Sequence, residues 1–279
     1  MDICVYHNQD LDGHCSGAII RYFLKNKIMM VGANYGDTPL DIFYSKDIKN
    51  IYIVDFSYPK LVMDQLSNKI IWIDHHKSAI KDLENIEFKI KITDEELSAC
   101  ELTWLFFNNL ISEGVSLLGK WDSHRIDEDW HNACRFQLGM GMYETNPIKD
   151  GSMVIWNQIF KEEGEENLFV KKTIEAGVFI ENYLINLNNN LSENIFRIKF
   201  KGYNCVVYNG PKAARLLESH LSEEWPLGLY YQNVGDKVVV GLRSDWIDVS
   251  EIAKEFGGGG HKGAAGFTTN CSKLLNEFN

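Results

Sequence analysis

The stretches IYIVDFSY (51–58) and IIWIDHH (70–76) each run through four apolar residues and stop at a carboxylate, the second adding two adjacent histidines. Between them a Pro-started segment, 59–66, reads as a helix. Strands alternating with helices at this spacing predict βαβ units and a parallel sheet. Working outward, ICVY (3–6) and IMMV (28–31) add two more strands, with a helix expected over SGAIIRYF (16–23). In an open parallel sheet the ligand site lies beyond the carboxyl ends of the strands. Asp10, Asp12, Asp55 and Asp74–His76 all fall there.

Further along, Leu97, Glu101, Trp104 and Leu105 recur at helical spacing and predict a helix over 95–110. A short helix is expected to end near Gly119–Lys120, with Asp122 just past that end, and a long helix over 165–188. The Asn-rich stretch 186–190 marks the domain boundary, giving domains 1–188 and 189–279. In the second, strands are expected at 195–200, 204–208, 228–231 and 237–242, and helices at 211–222 and 248–256. The expected class is therefore α/β: an N-terminal parallel-sheet domain followed by a smaller α/β domain.

Composition narrows the function classes. Of 279 residues, 45% are hydrophobic and 24% charged, as in soluble globular proteins. Lys and Arg total 28 against 39 Asp and Glu, a net charge of -11. That balance offers no field for gripping long duplex nucleic acid, but leaves room for a small anionic substrate at a local site. MDICVYHN at the start has no basic region leading an apolar stretch, and no apolar run approaches the ~18 residues that cross a bilayer. No membrane association and a cytoplasmic location are expected, with the six scattered cysteines serving as small core residues.

Asp10, Asp12, Asp55, His75 and Asp122 carry the chemistry as a group. An aspartate after a strand is commonly a turn or helix cap. Several converging on one sheet edge would repel one another, and like charges in a shared site resist ionisation unless something positive offsets them. These motifs hold few basic residues, so divalent metal is the economical partner. Carboxylate and imidazole donors without cysteine suit Mn²⁺, with Mg²⁺ or Co²⁺ as alternatives. Two ions bridged by one carboxylate would lower the pKa of a shared water and stabilise the charge that develops on phosphate oxygens.

DHH at 74–76, the DxD at 10–12, Asp55, Asp122 and the C-terminal FGGGGHKGAAGF (256–267) together resemble, in order, the DHH superfamily of phosphoesterases with its DHHA1 domain. The resemblance covers nearly the whole chain. It implies that Asp10 and Asp12 ligate one metal each, that Asp55 bridges both, that His75 is a direct ligand and that Asp122 completes the other ion. Asp74 is implied as an anchor for the histidines. His76 is implied to face the phosphate, donating a hydrogen bond or a proton to the leaving oxygen. His261, held by Gly258, Gly259 and Gly260, is implied to reach the substrate, with Arg243 holding its phosphate or base. The glycines by themselves suggest main-chain N–H groups brought close to an anion.

One departure stands in motif one. Relatives place a histidine four residues before the first Asp of the DxD, or an acid two before; here those positions are Tyr6 and Asn8, and the histidine is His7. A one-residue shift normally turns a strand side chain to the other face, but His7 is still expected to bind metal, with the strand ending early or bulging there. Asn8 or water would otherwise complete the shell.

The HNQDLDG start (7–13) most resembles the oligoribonuclease, or nanoRNase, branch called NrnB-like, which implies hydrolysis of very short RNAs or linear dinucleotides to nucleoside 5'-monophosphates, while chain length and acidity count against the long-strand exonucleases. A cyclic mono- or dinucleotide phosphodiesterase is the alternative, and a non-catalytic nucleotide-binding protein the third reading. A homodimer is the default oligomeric expectation.

Overall fold

The computed structural model describes residues 1–161, 167–210 and 217–278. Clustering of contacts divides it into two compact units, Met1–Glu181 and Asn182–Asn279.

The first unit is built on five parallel strands: β1 (Asp2–His7), β2 (Ile28–Ala33), β3 (Asn50–Val54), β4 (Ile70–Asp74) and β5 (Ile90–Thr93), in the order β2-β1-β3-β4-β5. Alternate residues of the central strands enter different cores. Ile3, Val5, Ile51, Ile53, Ile70 and Trp72 pack on one face, and Cys4, Tyr6, Tyr52, Val54, Ile71 and Ile73 on the other. Burial on both faces is why these strands read as unbroken apolar runs. β5 escaped the sequence reading because it is a half-exposed edge strand, IKIT, interrupted by Lys91.

Helix boundaries move in ways that matter for the site. The expected 16–23 helix begins earlier, at Leu11–Leu24, with Asp10 as its N-cap. The expected 95–110 helix is Ala99–Phe107, started by the Ser98 and Glu101 capping box. The helix predicted to stop near Gly119–Lys120 runs over Glu113–Asp122, so Asp122 is its last residue and not a loop residue beyond it. The long helix is Leu168–Leu191, and the Asn-rich stretch continues it instead of ending it. The helix penalty of asparagine is modest, about 0.7 kcal/mol per residue at most, and does not by itself stop a long helix.

The second unit carries six strands: β6 (Ile195–Phe200), β7 (Tyr203–Asn209), β8 (Leu227–Val234), β9 (Lys237–Arg243), β10 (Gly259–His261) and β11 (Ala264–Thr269). They form a mixed sheet in the order β10-β11-β9-β8-β7-β6, parallel only between β7 and β8. The helix expected over 211–222 lies for residues 211–216 outside the described residues; the 248–256 helix is Val249–Glu255. Gly259 and Gly260, in the run expected to bring main-chain N–H groups close to an anion, lie in β10, which pairs with β11 as a hairpin. No helix among the described residues is long and apolar enough to cross a membrane.

Two helices of the first unit cross through glycines. A Cβ on Gly177 would lie 1.9 Å from the Arg135 carbonyl oxygen, and one on Gly139 would lie 2.1 Å from that of Thr173. Backbone cannot yield as a side chain can, so overpacking here should cost about 1–3 kcal/mol. Gly177→Ala is expected to lower the thermal midpoint by roughly 2–10 °C. Lys172→Ala, exposed on the same helix, should leave it unchanged. Equal midpoints in a calorimetric scan would show that the crossing tolerates a methyl group.

Candidate metal centre

Asp55 directly follows β3 with φ of 54°, a left-handed conformation that a non-glycine residue rarely adopts. Its N–H donates to the Ile73 carbonyl at 3.0 Å, which ties it to the end of β4. The side chain is 1% exposed, yet neither carboxyl oxygen has a hydrogen-bond partner. A buried carboxylate left this way is among the most expensive arrangements a fold can contain. Strain and an unsatisfied charge coincide at one residue, as they do at sites kept for function.

Imidazoles surround it without satisfying it. His7 Nδ1 is 3.6 Å from Oδ2, His75 Nε2 is 3.5 Å from Oδ1, and His76 Nδ1 is 3.7 Å from Oδ1. His7 also lies 3.0 Å from Asp10 Oδ2, without the alignment of a hydrogen bond. β1 neither ends early nor bulges, since His7 pairs in register with Ala33. The imidazole reaches the acids from the face that carries Ile3 and Val5, and so the one-residue shift does not turn it away. Asn8 is committed elsewhere, its Oδ1 accepting from Asn146 Nδ2 at 2.7 Å.

The remaining acids are each held by a different device. Asp10 caps its helix, with Oδ1 accepting from the Gly13 N–H at 2.9 Å. Asp12, in the first turn, accepts on both oxygens from the start of the next helix, from Ala99 N at 3.0 Å and Cys100 N at 2.9 Å. Asp122 Oδ2 stands 3.2 Å from His75 Nε2. Asp74 Oδ1 accepts from the backbone N–H of His75 and His76 and engages His76 Nδ1 at 2.8 Å. It fixes the ring of His76 and leaves Nε2 as that ring's unengaged nitrogen.

These neighbours move the protonation equilibria. Asp10, then Asp55, push His7 up to about 10. Burial, reinforced by the Asp12 charge, drives Asp55 well above the ordinary carboxylate range, although His7 pulls the other way. Burial, then Asp12 and Asp55, push Asp122 up to about 9. At His76 burial opposes the charged form, but Asp74 outweighs it and the pKa rises. Without another cation the cluster can relieve itself only by holding protons.

A divalent ion fits this donor set. Three groups place their ligand atoms within 4.8 Å of one another: His7, Asp10 and Asp55; Asp12, His75 and Asp122; and Asp55, His75 and His76. Asp10 and Asp12 therefore fall in different groups, and Asp55 belongs to two of the three. Oxygen and imidazole donors with no thiolate suit hard or borderline divalent metals.

Tyr35 is a site neighbour that sequence reading missed. Its ring lies 5.4 Å from that of His7, 5.2 Å from Phe56 and 6.3 Å from His76, although the residue is 56% exposed. A single tyrosine in a loop gives no periodic signal. The polar segment after Asp122 is braced by two ion pairs from the preceding helix. Lys120 Nζ bridges Asp127 and Asp129 at 2.9 and 2.7 Å.

Arg243, Gly258, Gly259, Gly260 and His261 belong to the second unit, where Arg243 and the three glycines, but not His261, line a cleft of about 640 Å³ beside Tyr230 and Gly266. Tyr208, Tyr230, Gly241, Gly266 and Gly259 occupy one cross-strand row. The Tyr230 ring fills the place of a Gly241 side chain, 2.1 Å from where its Cβ would be. The Gly258 N–H donates to Ala253 O and closes the preceding helix, so it is not free for an anion. Its need for glycine is steric, because a Cβ would sit 2.1 Å from the Gly266 carbonyl. His261 is exposed on β10.

A doubly buried parallel sheet with an acid-histidine cluster at its carboxyl edge, followed by a glycine-rich mixed sheet, defines a two-domain phosphoesterase architecture. Residues 2–125 match the N-terminal domain of the DHH family and residues 211–279 the DHHA1 domain. The chain belongs to the DHH family, whose members are metal-dependent phosphoesterases. It is 29% identical over 303 residues to the uncharacterized protein R106 of Acanthamoeba polyphaga mimivirus, covering 95% of this chain and 67% of that one. The pGpG-specific phosphodiesterase PggH of Vibrio cholerae shares the fold at a TM-score of 0.57 and 12% identity, over 99% of this chain and 95% of that one. An exopolyphosphatase-related protein from Bacteroides fragilis aligns at a TM-score of 0.49 and 16% identity, over 99% and 89%.

Asp55→Asn tests the centre directly, because asparagine tolerates the left-handed backbone. The metal-free variant should melt higher than the metal-free wild type near neutral pH, because asparagine removes the cost of holding a buried carboxyl protonated above its ordinary pKa. Mn²⁺ at about 100 times its Kd should stabilise the wild type by about 2.7 kcal/mol, and the variant far less. Equal metal-induced shifts in the two proteins would show that Asp55 holds no ion.

Proposed function

We propose that this chain is a phosphodiesterase that uses two Mn²⁺ ions to hydrolyse very short RNA oligonucleotides or linear dinucleotides to nucleoside 5'-monophosphates, with Mg²⁺ or Co²⁺ as alternative ions. The observation that carries the reading is Asp55, buried and unpartnered, grouped with His7 and Asp10 and standing 3.5 Å from His75 of the other group. His7, Asp10 and Asp55 would hold one ion, and Asp12, His75 and Asp122 the other, with Asp55 facing both. Bound divalent ions would supply a water of lowered pKa and neutralise phosphate charge.

The chain's own groups do the rest. Asp74 fixes His76 through Nδ1, so that Nε2 is available to donate to a phosphate oxygen or to the departing ribose oxygen. In the second unit, Arg243 beside the glycine-floored cleft supplies a fixed cation for a phosphate or a base edge. The open row of glycines and Tyr230 suits a flat nucleobase, which stacks on aromatic and peptide surfaces with little sequence preference.

Two features support a short substrate. A net charge of -11 opposes the basic groove that long single strands require. The Vibrio protein that shares the fold is named for pGpG, a dinucleotide.

Purified protein with Mn²⁺ and pApA should release AMP. A cyclic dinucleotide opened to a linear product, with pApA untouched, would overturn this reading in favour of a cyclic-nucleotide phosphodiesterase. Asp55→Ala should reduce turnover by at least about 10³-fold, the scale of losing a principal electrostatic group. His261→Ala should raise KM and leave Mn²⁺ uptake intact; loss of the metal in that variant would contradict the assignment of His261 to substrate.

A further inference from the structure

The acids Asp12 and Asp122 sit on two different helices, and something must hold those helices at the separation the centre needs. Glu101 lies between them. It is 1% exposed, and its Oε2 accepts from the Ser98 N–H at 3.1 Å, closing the capping box of the helix Ala99–Phe107. That is the helix whose first amides, Ala99 N and Cys100 N, grip both oxygens of Asp12. A capping box is ordinarily a surface device; burial of this one calls for a second purpose.

The second purpose is visible on the other side of the carboxylate. Arg125 Nη2 donates to Glu101 Oε2 at 2.5 Å. The same arginine closes the end of the helix Glu113–Asp122. Its backbone N–H donates to Lys120 O at 2.9 Å, and its Nε donates to Ser123 Oγ, which in turn donates to Gly119 O at 2.7 Å. Gly119 meets Glu101 directly, since a Cβ there would lie 2.3 Å from the Glu101 carboxyl carbon. One buried carboxylate thus touches both the helix that clamps Asp12 and the helix that ends in Asp122.

We propose that Glu101 and Arg125 form a positioning pair that sets the separation of Asp12 and Asp122, and so determines the affinity of the ion held by Asp12, His75 and Asp122. Neither residue is a ligand or a catalytic group. The pair acts by opposing the repulsion between two acids that burial brings together, and by fixing Asp12 through the helix amides instead of through contact with the ion. The inference rests on the metal-centre reading and goes beyond it by assigning the ion's affinity to residues outside the ligand groups.

The test is ion binding by isothermal titration of Mn²⁺ into the metal-free full chain, with no substrate present. Wild type should show two binding events. Glu101→Gln keeps an acceptor for the Ser98 N–H but removes the charge that Arg125 faces, and Arg125→Met removes the guanidinium. Each should weaken one event by about 10- to 100-fold, the usual cost of losing a partner behind a metal ligand, and leave the other event unchanged. Arg125→Lys should recover part of that loss, and the double variant should be no worse than the poorer single one. Two unaltered events in folded Glu101→Gln and Arg125→Met, even with lowered melting temperatures, would overturn the proposal and leave the pair a structural brace. Should Glu101→Gln fail to fold, the Arg125 variants decide alone. A wild type that binds no divalent ion would instead remove the metal-centre reading itself, so the two failures are distinguishable.

Discussion

Electrostatic repulsion among buried carboxylates is the constraint around which the first unit is organised. Asp12, Asp55 and Asp122 approach one another in a space largely closed to water, and burial pushes the last two toward their neutral forms. Folding alone would spread such groups apart or pair each with an arginine. Instead the fold places histidines between them, at distances of 3.2–3.7 Å, which are too few to neutralise the set. The arrangement is unfavourable as protein and favourable as a ligand cage. Much of the surrounding architecture can be understood as the means of keeping it assembled.

Those means differ from acid to acid, and the differences separate support from function. Asp10 caps its own helix, Asp12 is clamped by another helix's amides, and Asp74 is spent on two backbone N–H groups and an imidazole. Asp55 receives nothing but a tether through its backbone N–H to Ile73. Asp55, with neither oxygen hydrogen-bonded, is left for a cation, whereas Asp74, which ends the adjacent strand in the same way, commits its Oδ1 to the two histidines that follow it.

The parallel sheet was legible because double burial leaves near-continuous apolar strands, and the strand ends were legible because charge stops those runs abruptly at Asp55 and Asp74. Helix limits were less so. Asp122 read as a loop residue since Gly119 and Lys120 look like a terminus, yet Gly119 is required by contact with Glu101 and does not end the helix. The strand-face rule suggested that a histidine at position 7 would turn away, but it governs residues inside a sheet. At the last residue of β1 the chain opens onto the site, and His7 reaches the acids without a bulge. Tyr35 and the Glu101–Arg125 pair left no periodic trace, because long-range contacts between single residues have no spacing to read. Gly259 and Gly260 gave no strand signal for lack of side chains, yet they pair with Gly266 and Ala265 of β11.

The two units meet the same chemical problem with opposite materials. The first gathers acids and would repel a phosphate until cations are loaded. The second offers a floor of glycines, an aromatic wall at Tyr230 and the cation of Arg243. On the proposed reading, substrate affinity therefore has a metal-independent part from the second unit and a metal-dependent part from the first. A long anionic strand would gain little from such a division, since each additional phosphate meets a chain of net charge -11.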